Sequence, residues 1–155
     1  MPLKKTQIIS ELLLACPELQ PAWDAHMAYW AQEDPKDYDG EIPGDYNNAS
    51  AIVHAVIDFY GRAETAFFPR FFQFIERLIN EGDAESQNIA VVGYLETLQT
   101  AASWKQHGPE VFVPWLQPES KRWWAQIYQW WQGGKSLMDI AVEEAKNKGN
   151  HDTAS

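Results

Sequence analysis

Apolar residues recur every three or four positions over most of the chain, which is the spacing of one face of an α-helix. The apolar positions of the two central segments are Ile52, Val53, Val56, Ile57 and Tyr60, then Phe67, Phe68, Phe71, Phe72, Phe74, Ile75, Leu78 and Ile79. No segment of the sequence shows the sustained alternation of apolar and polar residues that half-buried β-strands require. The pattern predicts an all-α protein.

Helix caps and helix breakers divide the pattern into about six to eight helices. The predicted helices run from Thr6 to about Cys16, from Pro21 past Trp30, from Asn48 or Ser50 to Tyr60, from about Ala66 to Asn80, from Ala84 to about Lys105, from Glu110 to Leu116, from Pro118 to Gln132, and from Ser136 to about Lys146. We expect residues 1–146 to form a single helical domain, because 155 residues with 45% hydrophobic content supply one domain's core. Residues 147–155 are small and polar and are predicted to be a disordered tail.

Short connections indicate that neighbouring helices run antiparallel and form a single-domain bundle of helical hairpins. The clearest hairpin turn is Glu81-Gly82-Asp83. Gly82 suits a left-handed position after one helix, and Asp83 suits the N-cap of the next. This hairpin resembles a unit of a HEAT-like or armadillo-like array, so a partly HEAT-like or armadillo-like bundle is expected. The sequence has no second copy at a fixed period, so a full solenoid is not predicted.

The chain is strongly acidic. It has 12 Lys and Arg residues against 22 Asp and Glu residues, which gives a formal net charge of −10 at pH 7. Binding to nucleic acid or to an anionic membrane needs an excess of basic side chains on one face, so neither is expected as a partner. A basic protein or a cation remains as an expected partner.

Half of this net charge lies in residues 33–45. The acidic residues of this stretch are Glu33, Asp34, Asp37, Asp39, Glu41 and Asp45, and its one basic residue is Lys36. Six acids and one base give −5. Two prolines and two glycines in the same stretch predict an extended loop, here called the acidic loop. We expect the six carboxylates to project into solvent, unpaired by local bases, and to recognise a basic protein.

The single cysteine, Cys16, cannot form an internal disulfide and fits a reducing compartment. Residues 4–16 resemble a bacterial lipoprotein signal. However, Glu11 interrupts the apolar run, and the helical spacing of the apolar residues favours a first helix. The sequence has no run of about 18 apolar residues that would span a membrane. A cytoplasmic location is predicted.

No set of residues has the spacing of a catalytic site. His54 and Asp58 lie four apart on one predicted helix, which suits an acid–base pair or two metal ligands. A metal site needs three or four ligands, so a hydrogen-bonded pair at a contact between helices is the favoured interpretation. The acidic loop lacks the spacing of a calcium-binding loop. We predict that the protein is not an enzyme and holds neither a metal nor a cofactor.

One predicted helix is crowded with aromatic residues, namely Trp123, Trp124, Tyr128, Trp130 and Trp131. Five large rings cover more than one buried face of a helix, so one or two of them are expected to be partly exposed. Trp124 and Tyr128 lie beside the main apolar stripe. They are the expected exposed pair and a second candidate for partner binding.

The segment from Phe71 to Gln99, which ends in ERLINEGDAESQNIAVVGYLETLQ, resembles a family of small bacterial all-helical domains. Those domains are similar to immunity proteins of contact-dependent and other polymorphic toxin systems. The resemblance implies a toxin domain as partner and no catalytic residues. A toxin C-terminal nuclease domain is basic because it holds phosphates, so an acidic inhibitor suits it. Two alternatives stay open: a general helical adaptor, and a metal-dependent enzyme around His54 and Asp58.

Overall fold

The structure is a computed structural model that describes residues 2–132. Its helices are α1 (Ile8–Ala15), α2 (Gln20–Trp30), α3 (Asp45–Gly61), α4 (Phe68–Glu81), α5 (Ala84–Asn88), the π segment (Ile89–Glu96), α6 (Thr97–Ala102) and α7 (Pro118–Gln132). Its short 3-10 helices are Lys5–Gln7, Pro17–Leu19, Pro35–Asp37 and Glu110–Trp115. No strand occurs within residues 2–132, and the predicted all-α fold is confirmed. The predicted helix from Ser136 to about Lys146 and the predicted tail lie outside the described residues.

The core lies between α3, α4, α7 and the rod formed by α5, the π segment and α6. Helix α4 supplies many of its largest side chains, because phenylalanines occupy successive turns of its inner face. Phe68, Phe71 and Phe72 are all buried. Helix α7 packs against α4 and the π segment, and α3 packs against the π segment and α6. Of the helices in residues 2–132, none is both long enough and apolar enough to cross a membrane.

A buried carboxylate on α4 holds the start of α7. Glu76 is only 8% exposed. Its Oε2 accepts from the backbone N–H of Glu119 and its Oε1 from that of Ser120, both at 2.8 Å. These N–H groups lie in the first turn of α7, where no helical partner exists and the helix dipole favours a negative charge. Glu76 therefore fixes α7 on α4.

Residues near the N-terminus close the turn between α4 and α5. Leu3 forms a parallel bridge with Gly82. The N–H of Leu3 donates to the carbonyl of Glu81, and its carbonyl accepts from the N–H of Asp83, both at 2.9 Å. The buried hydroxyl of Ser86 donates to the same carbonyl at 2.9 Å. The first residues of the chain are thus part of its central turn.

The backbone of this turn differs from the expectation. Gly82 has φ −76° and ψ 155°, so it is extended, and the predicted left-handed position is wrong. A glycine is still needed there, because a Cβ would collide with the carbonyl oxygen of Leu78. Asp83 is the N-cap of α5 as predicted, and its side chain accepts from the N–H of Ser86 at 2.9 Å. The hydrogen bonds to Ser86 lower the pKa of Asp83.

Helix α3 begins earlier than the sequence predicts. Gly44 is its N-cap, and the N–H of Gly44 donates to Oδ1 of Asn47 at 3.0 Å. The predicted caps, Asn48 and Ser50, lie inside the helix. Asp45 occupies the first turn, where the helix dipole favours a carboxylate. Asp45 therefore belongs to α3 rather than to the acidic loop.

Other predicted boundaries shift by a few residues. Thr6 lies inside a 3-10 helix and is not a cap. Helix α4 begins at Phe68, which keeps Pro69 in its first turn as expected. The rod ends at Ala102 rather than near Lys105. Helix α7 begins at Pro118, as predicted, and continues to Gln132, the last described residue.

The rod is not α-helical throughout. Its middle eight residues form the π segment, and this conformation is rare in proteins. Gly93 of the segment lies against α3, where a Cβ would come within 3.0 Å of the Cβ of Ala49. The absence of a side chain at Gly93 allows the two helices to approach closely.

Replacing the α4 carboxylate should weaken the whole fold. The Glu76→Gln variant keeps the size of the side chain but removes its charge and one of its two acceptor oxygens. We expect the free energy of unfolding to fall by about 1–3 kcal/mol, because hydrogen bonds to a charged group are lost inside the protein. Urea denaturation followed by circular dichroism measures the change.

The matched control for this prediction is Glu81→Gln, the same chemical change at an exposed position of the same helix. This variant should lower the free energy of unfolding by less than about 0.5 kcal/mol. An equal loss in both variants would contradict the role given to Glu76.

Candidate functional site: the acidic loop and the aromatic face of α2

Helix α2 contributes no buried residue to the core. It packs against α3 on one side and leaves large side chains in contact with solvent. Tyr29 is 58% exposed, and Met27 is exposed as well. Exposed aromatic side chains on a regular helix are frequent anchors for protein partners.

A chain of ring contacts ties this face of α2 to the acidic loop. The ring centroids of His26 and Trp30 are 6.3 Å apart, and those of Tyr29 and Trp30 are 5.7 Å apart. Trp30 then contacts Tyr38, a residue of the loop, at 5.3 Å. His26 also pairs with Asn48 of α3 through Nε2 and Oδ1 at 2.8 Å. The loop is therefore held against a helix that is itself fixed to the core.

Local hydrogen bonds shape the loop further. The side chain of Asp34 accepts from the N–H of Lys36 at 2.9 Å and caps the 3-10 helix Pro35–Asp37. The hydroxyl of Tyr38 donates to Oε2 of Glu33 at 3.2 Å. Burial and then this hydrogen bond raise the pKa of Tyr38, and Asp37 and Tyr29 add to the effect. These contacts place Glu33 and Asp37 close to Tyr38, with Tyr29 nearby.

The six predicted recognition carboxylates fall into two groups. Asp34, Asp37, Asp39 and Glu41 are exposed, as expected, whereas Glu33 and Asp45 are half-buried. Glu33 already accepts a hydrogen bond from Tyr38 within the loop.

We expected none of the loop carboxylates to be paired with a basic side chain. This expectation is wrong for Asp45. Oδ2 of Asp45 lies 3.9 Å from Nζ of Lys5. Lys5 also pairs with Glu85 at 3.0 Å. Glu85 first, then Asp45 and Glu41, raise the pKa of Lys5. Asp45, at the α3 end of the loop, therefore lies beside a basic side chain.

We call the exposed part of this region the acidic–aromatic surface. Its residues are Met27, Tyr29, Asp34, Asp37, Tyr38, Asp39 and Glu41. The carboxylates were predicted from charge alone. The aromatic part was missed, because ring contacts between a helix and a loop leave no periodic pattern in the sequence.

The second predicted site differs from the expectation. Trp124 is 3% exposed, so its predicted exposure is wrong and it is not a surface anchor. The reason is that α7 turns Trp124 toward the core that it shares with α4 and the π segment. Tyr128 is half-buried. The exposed indoles are Trp131 and, at 87%, Trp104, which follows the end of α6.

His54 and Asp58 do not form the predicted contact between helices. Both side chains are exposed on α3. Nδ1 of His54 donates to the carbonyl of Ser50 at 2.8 Å, one turn earlier on the same helix. Within residues 2–132, no three His, Cys, Asp or Glu side chains lie together in a way that would hold a metal ion.

Comparison with protein families identifies the family of the chain. A family model described as Domain of unknown function (DUF7674) matches residues 9–132. No curated protein and no solved structure matches the chain. The matched range includes the acidic–aromatic surface and, apart from the first residue of α1, all seven α-helices found in residues 2–132.

The Trp30 ring should hold the acidic loop in place. In Trp30→Ala the backbone amides of Asp37 and Tyr38, which donate to loop carbonyls, should exchange hydrogen roughly two- to tenfold faster, as expected for a lost aromatic pair. Hydrogen exchange followed by NMR measures this.

Met27→Ala is the control, because Met27 is an exposed residue of the same helix that is absent from the ring contacts. In Met27→Ala the backbone amides of Asp37 and Tyr38 should exchange at the wild-type rate. Equal rates in the two variants would show that the ring contact does not order the loop.

Proposed function

The chain belongs to the DUF7674 family, and we propose that it is a binding protein that holds a basic protein partner on the acidic–aromatic surface. The observation that carries this proposal is the combination of four exposed carboxylates with exposed Tyr29 and Tyr38 on one ordered surface. Carboxylates alone attract a basic partner without fixing where it binds. The tyrosine rings add contact area and orient the basic side chains of the partner.

The chemistry of this surface suits arginine and lysine. A guanidinium group forms two parallel hydrogen bonds to one carboxylate, and it also stacks on aromatic faces. A lysine ammonium binds over a tyrosine ring by the cation–π interaction. Asp37 lies near enough to Tyr38 to raise the pKa of its hydroxyl, so one basic side chain can meet this ring and a carboxylate together.

The order of the loop also favours binding. A flexible loop loses conformational freedom when a partner fixes it, and this loss weakens the complex. Here the Trp30–Tyr38 contact and the Asp34 cap order the loop before the partner arrives. The net charge of −10 adds long-range attraction that speeds the encounter with a basic protein.

We propose a nuclease toxin domain as the partner, and neutralisation of that domain in the cytoplasm as the function. The resemblance of residues 71–99 to immunity proteins supports this choice. A nuclease domain must be basic to hold phosphates, so its charge complements the acidic–aromatic surface. In this proposal the chain inhibits by occupying the toxin and carries out no reaction itself.

Association kinetics test the surface. The partner to use is a basic nuclease domain encoded beside the gene for this chain. The triple variant Asp37→Asn, Asp39→Asn, Glu41→Gln should associate at least about tenfold more slowly at low salt, because it loses electrostatic steering. The difference should shrink at physiological salt, where screening weakens steering for both proteins. Stopped-flow fluorescence measures both rates.

The control is Asp58→Asn, Glu64→Gln, Glu81→Gln, which removes the same charge from exposed positions outside the loop. It should change the association rate much less. Equal slowing by the two triple variants would mean that net charge, not this surface, governs the encounter. If the domain binds normally but cells gain no protection, the adaptor alternative is favoured over the toxin inhibitor.

A second test addresses catalysis. His54→Ala combined with Asp58→Ala should protect cells that produce the toxin as well as the wild type does, because both residues lie outside the acidic–aromatic surface. Survival at equal protein levels is the measurement. A loss of protection that the stability of the variant does not explain would favour the metal-dependent enzyme.

A further inference from the structure

A groove of about 520 Å³ lies between α3 and the rod. Most of its wall is apolar, and the wall includes Tyr46 and His54 of α3, Val92 and Ala101 of the rod, Trp104 and Trp131. Trp104 follows the end of α6, and Trp131 belongs to α7. Residues from three parts of the fold therefore meet here, in what we call the tryptophan groove.

The large rings of the tryptophan groove are in contact with solvent. Trp104 is 87% exposed, and Tyr46 and Trp131 are each 44% exposed. Trp104 and Trp131 also line a neighbouring cavity of about 320 Å³, so the exposed apolar area extends beyond the groove. An apolar area of this kind on a folded protein marks a place that another segment or molecule covers.

The chain leaves the described part of the structure beside this groove. Helix α7 continues to Gln132, the last described residue, and Trp131 of the groove wall immediately precedes it. Residues 133–135 are Gly-Gly-Lys. Glycine is the residue that most readily reverses a chain after a helix. The segment that follows these glycines therefore starts within reach of the groove.

The sequence of residues 136–146 predicts an amphipathic helix. Ser136 and Asp139 have the spacing of a capping box, which marks a helix N-terminus. One side of the predicted helix carries Leu137, Met138, Ile140, Ala141, Val142 and Ala145, with Glu144 as its one acid, and the other side carries Asp139, Glu143 and Lys146. A helix with this pattern buries its apolar side against another element.

The predicted helix suits the groove in length and in direction. An α-helix rises about 12 Å from Leu137 to Ala145, and Tyr46 and His54 are separated by the same rise of about 12 Å along α3. A connection of three residues makes consecutive helices antiparallel neighbours. The segment is thus expected to return along the described helices, past Trp131.

The tether to α7 favours this segment over a separate partner. A short flexible connection gives a tethered group an effective concentration on the order of millimolar. A separate protein needs a similar concentration to compete for the same groove.

We propose that residues 136–146 form a helix that packs its apolar side into the tryptophan groove and shields Trp104 from solvent. The contact is within one chain. The proposal does not rest on the proposed function, because the tryptophan groove and the acidic–aromatic surface share no residue.

The solvent exposure of the Trp104 indole N–H tests the proposal in the full ¹⁵N-labelled chain. The probe is a neutral, soluble gadolinium chelate, which speeds the relaxation of exposed protons, and NMR measures its effect on each indole signal. The Trp104 signal is assigned by its absence in Trp104→Phe. In the wild type we expect its relaxation to be close to that of the buried Trp124. Dilution of the protein should not change this result, because the contact lies within one chain.

Two double variants sharpen the test. Leu137→Gln with Met138→Gln removes two large apolar side chains from the proposed contact. The chelate should then relax the Trp104 signal at least about threefold faster, because less apolar surface leaves water when the segment packs. The relaxation of the Trp124 signal should stay slow, which shows that the core is intact.

The matched control is Glu143→Gln with Lys146→Gln. It places the same two glutamines on the polar side of the predicted helix, and like the first double variant it leaves the net charge unchanged. Its Trp104 signal should relax as in the wild type.

Three results would overturn the proposal. The first is that the chelate relaxes the Trp104 signal as fast in the wild type as in the Leu137→Gln, Met138→Gln variant. The second is that the control variant exposes Trp104 as much as that variant does. The third is that dilution of the wild type exposes Trp104, which would mean that a second copy of the chain covers the groove.

Discussion

The two hydrogen bonds from the start of α7 to Glu76 are the constraint on which much of this fold depends. A carboxylate is held inside the protein because it meets two backbone donors that have no helical partner. The contact sets where α7 begins on α4, and α7 then packs against α4 and the π segment with Trp124 in the core and Trp131 exposed.

The acidic–aromatic surface combines two physical effects. Helix α2 has no fully buried residue, and its Tyr29 stays exposed while its Trp30 contacts Tyr38 of the acidic loop. Charge governs what approaches this surface. The rings give an approaching side chain a position at which to bind.

Helical periodicity and cap residues predicted the fold class, the start of α7 and the N-cap of α5, because these depend on residues close in sequence. The start of α3 was missed, since Gly44 and Asn47 form a cap without a conventional cap side chain. The burial of Trp124 was also missed. A helical pattern indicates which residues share a face, but it does not reveal which neighbouring helix covers that face. The loop carboxylates were found from charge, whereas their ring support depends on tertiary contacts.

The bridge between Leu3 and the turn after α4 also bears on how the chain assembles during synthesis. The hydroxyl of Ser86 reaches the carbonyl of Leu3 across 83 positions of sequence. Contacts over such separations form slowly, because a long loop must close first. During synthesis the segment around Leu3 therefore waits for the residues up to Ser86 before it reaches its partners. This contact closes late, and the segment around Leu3 stays open to other contacts until then.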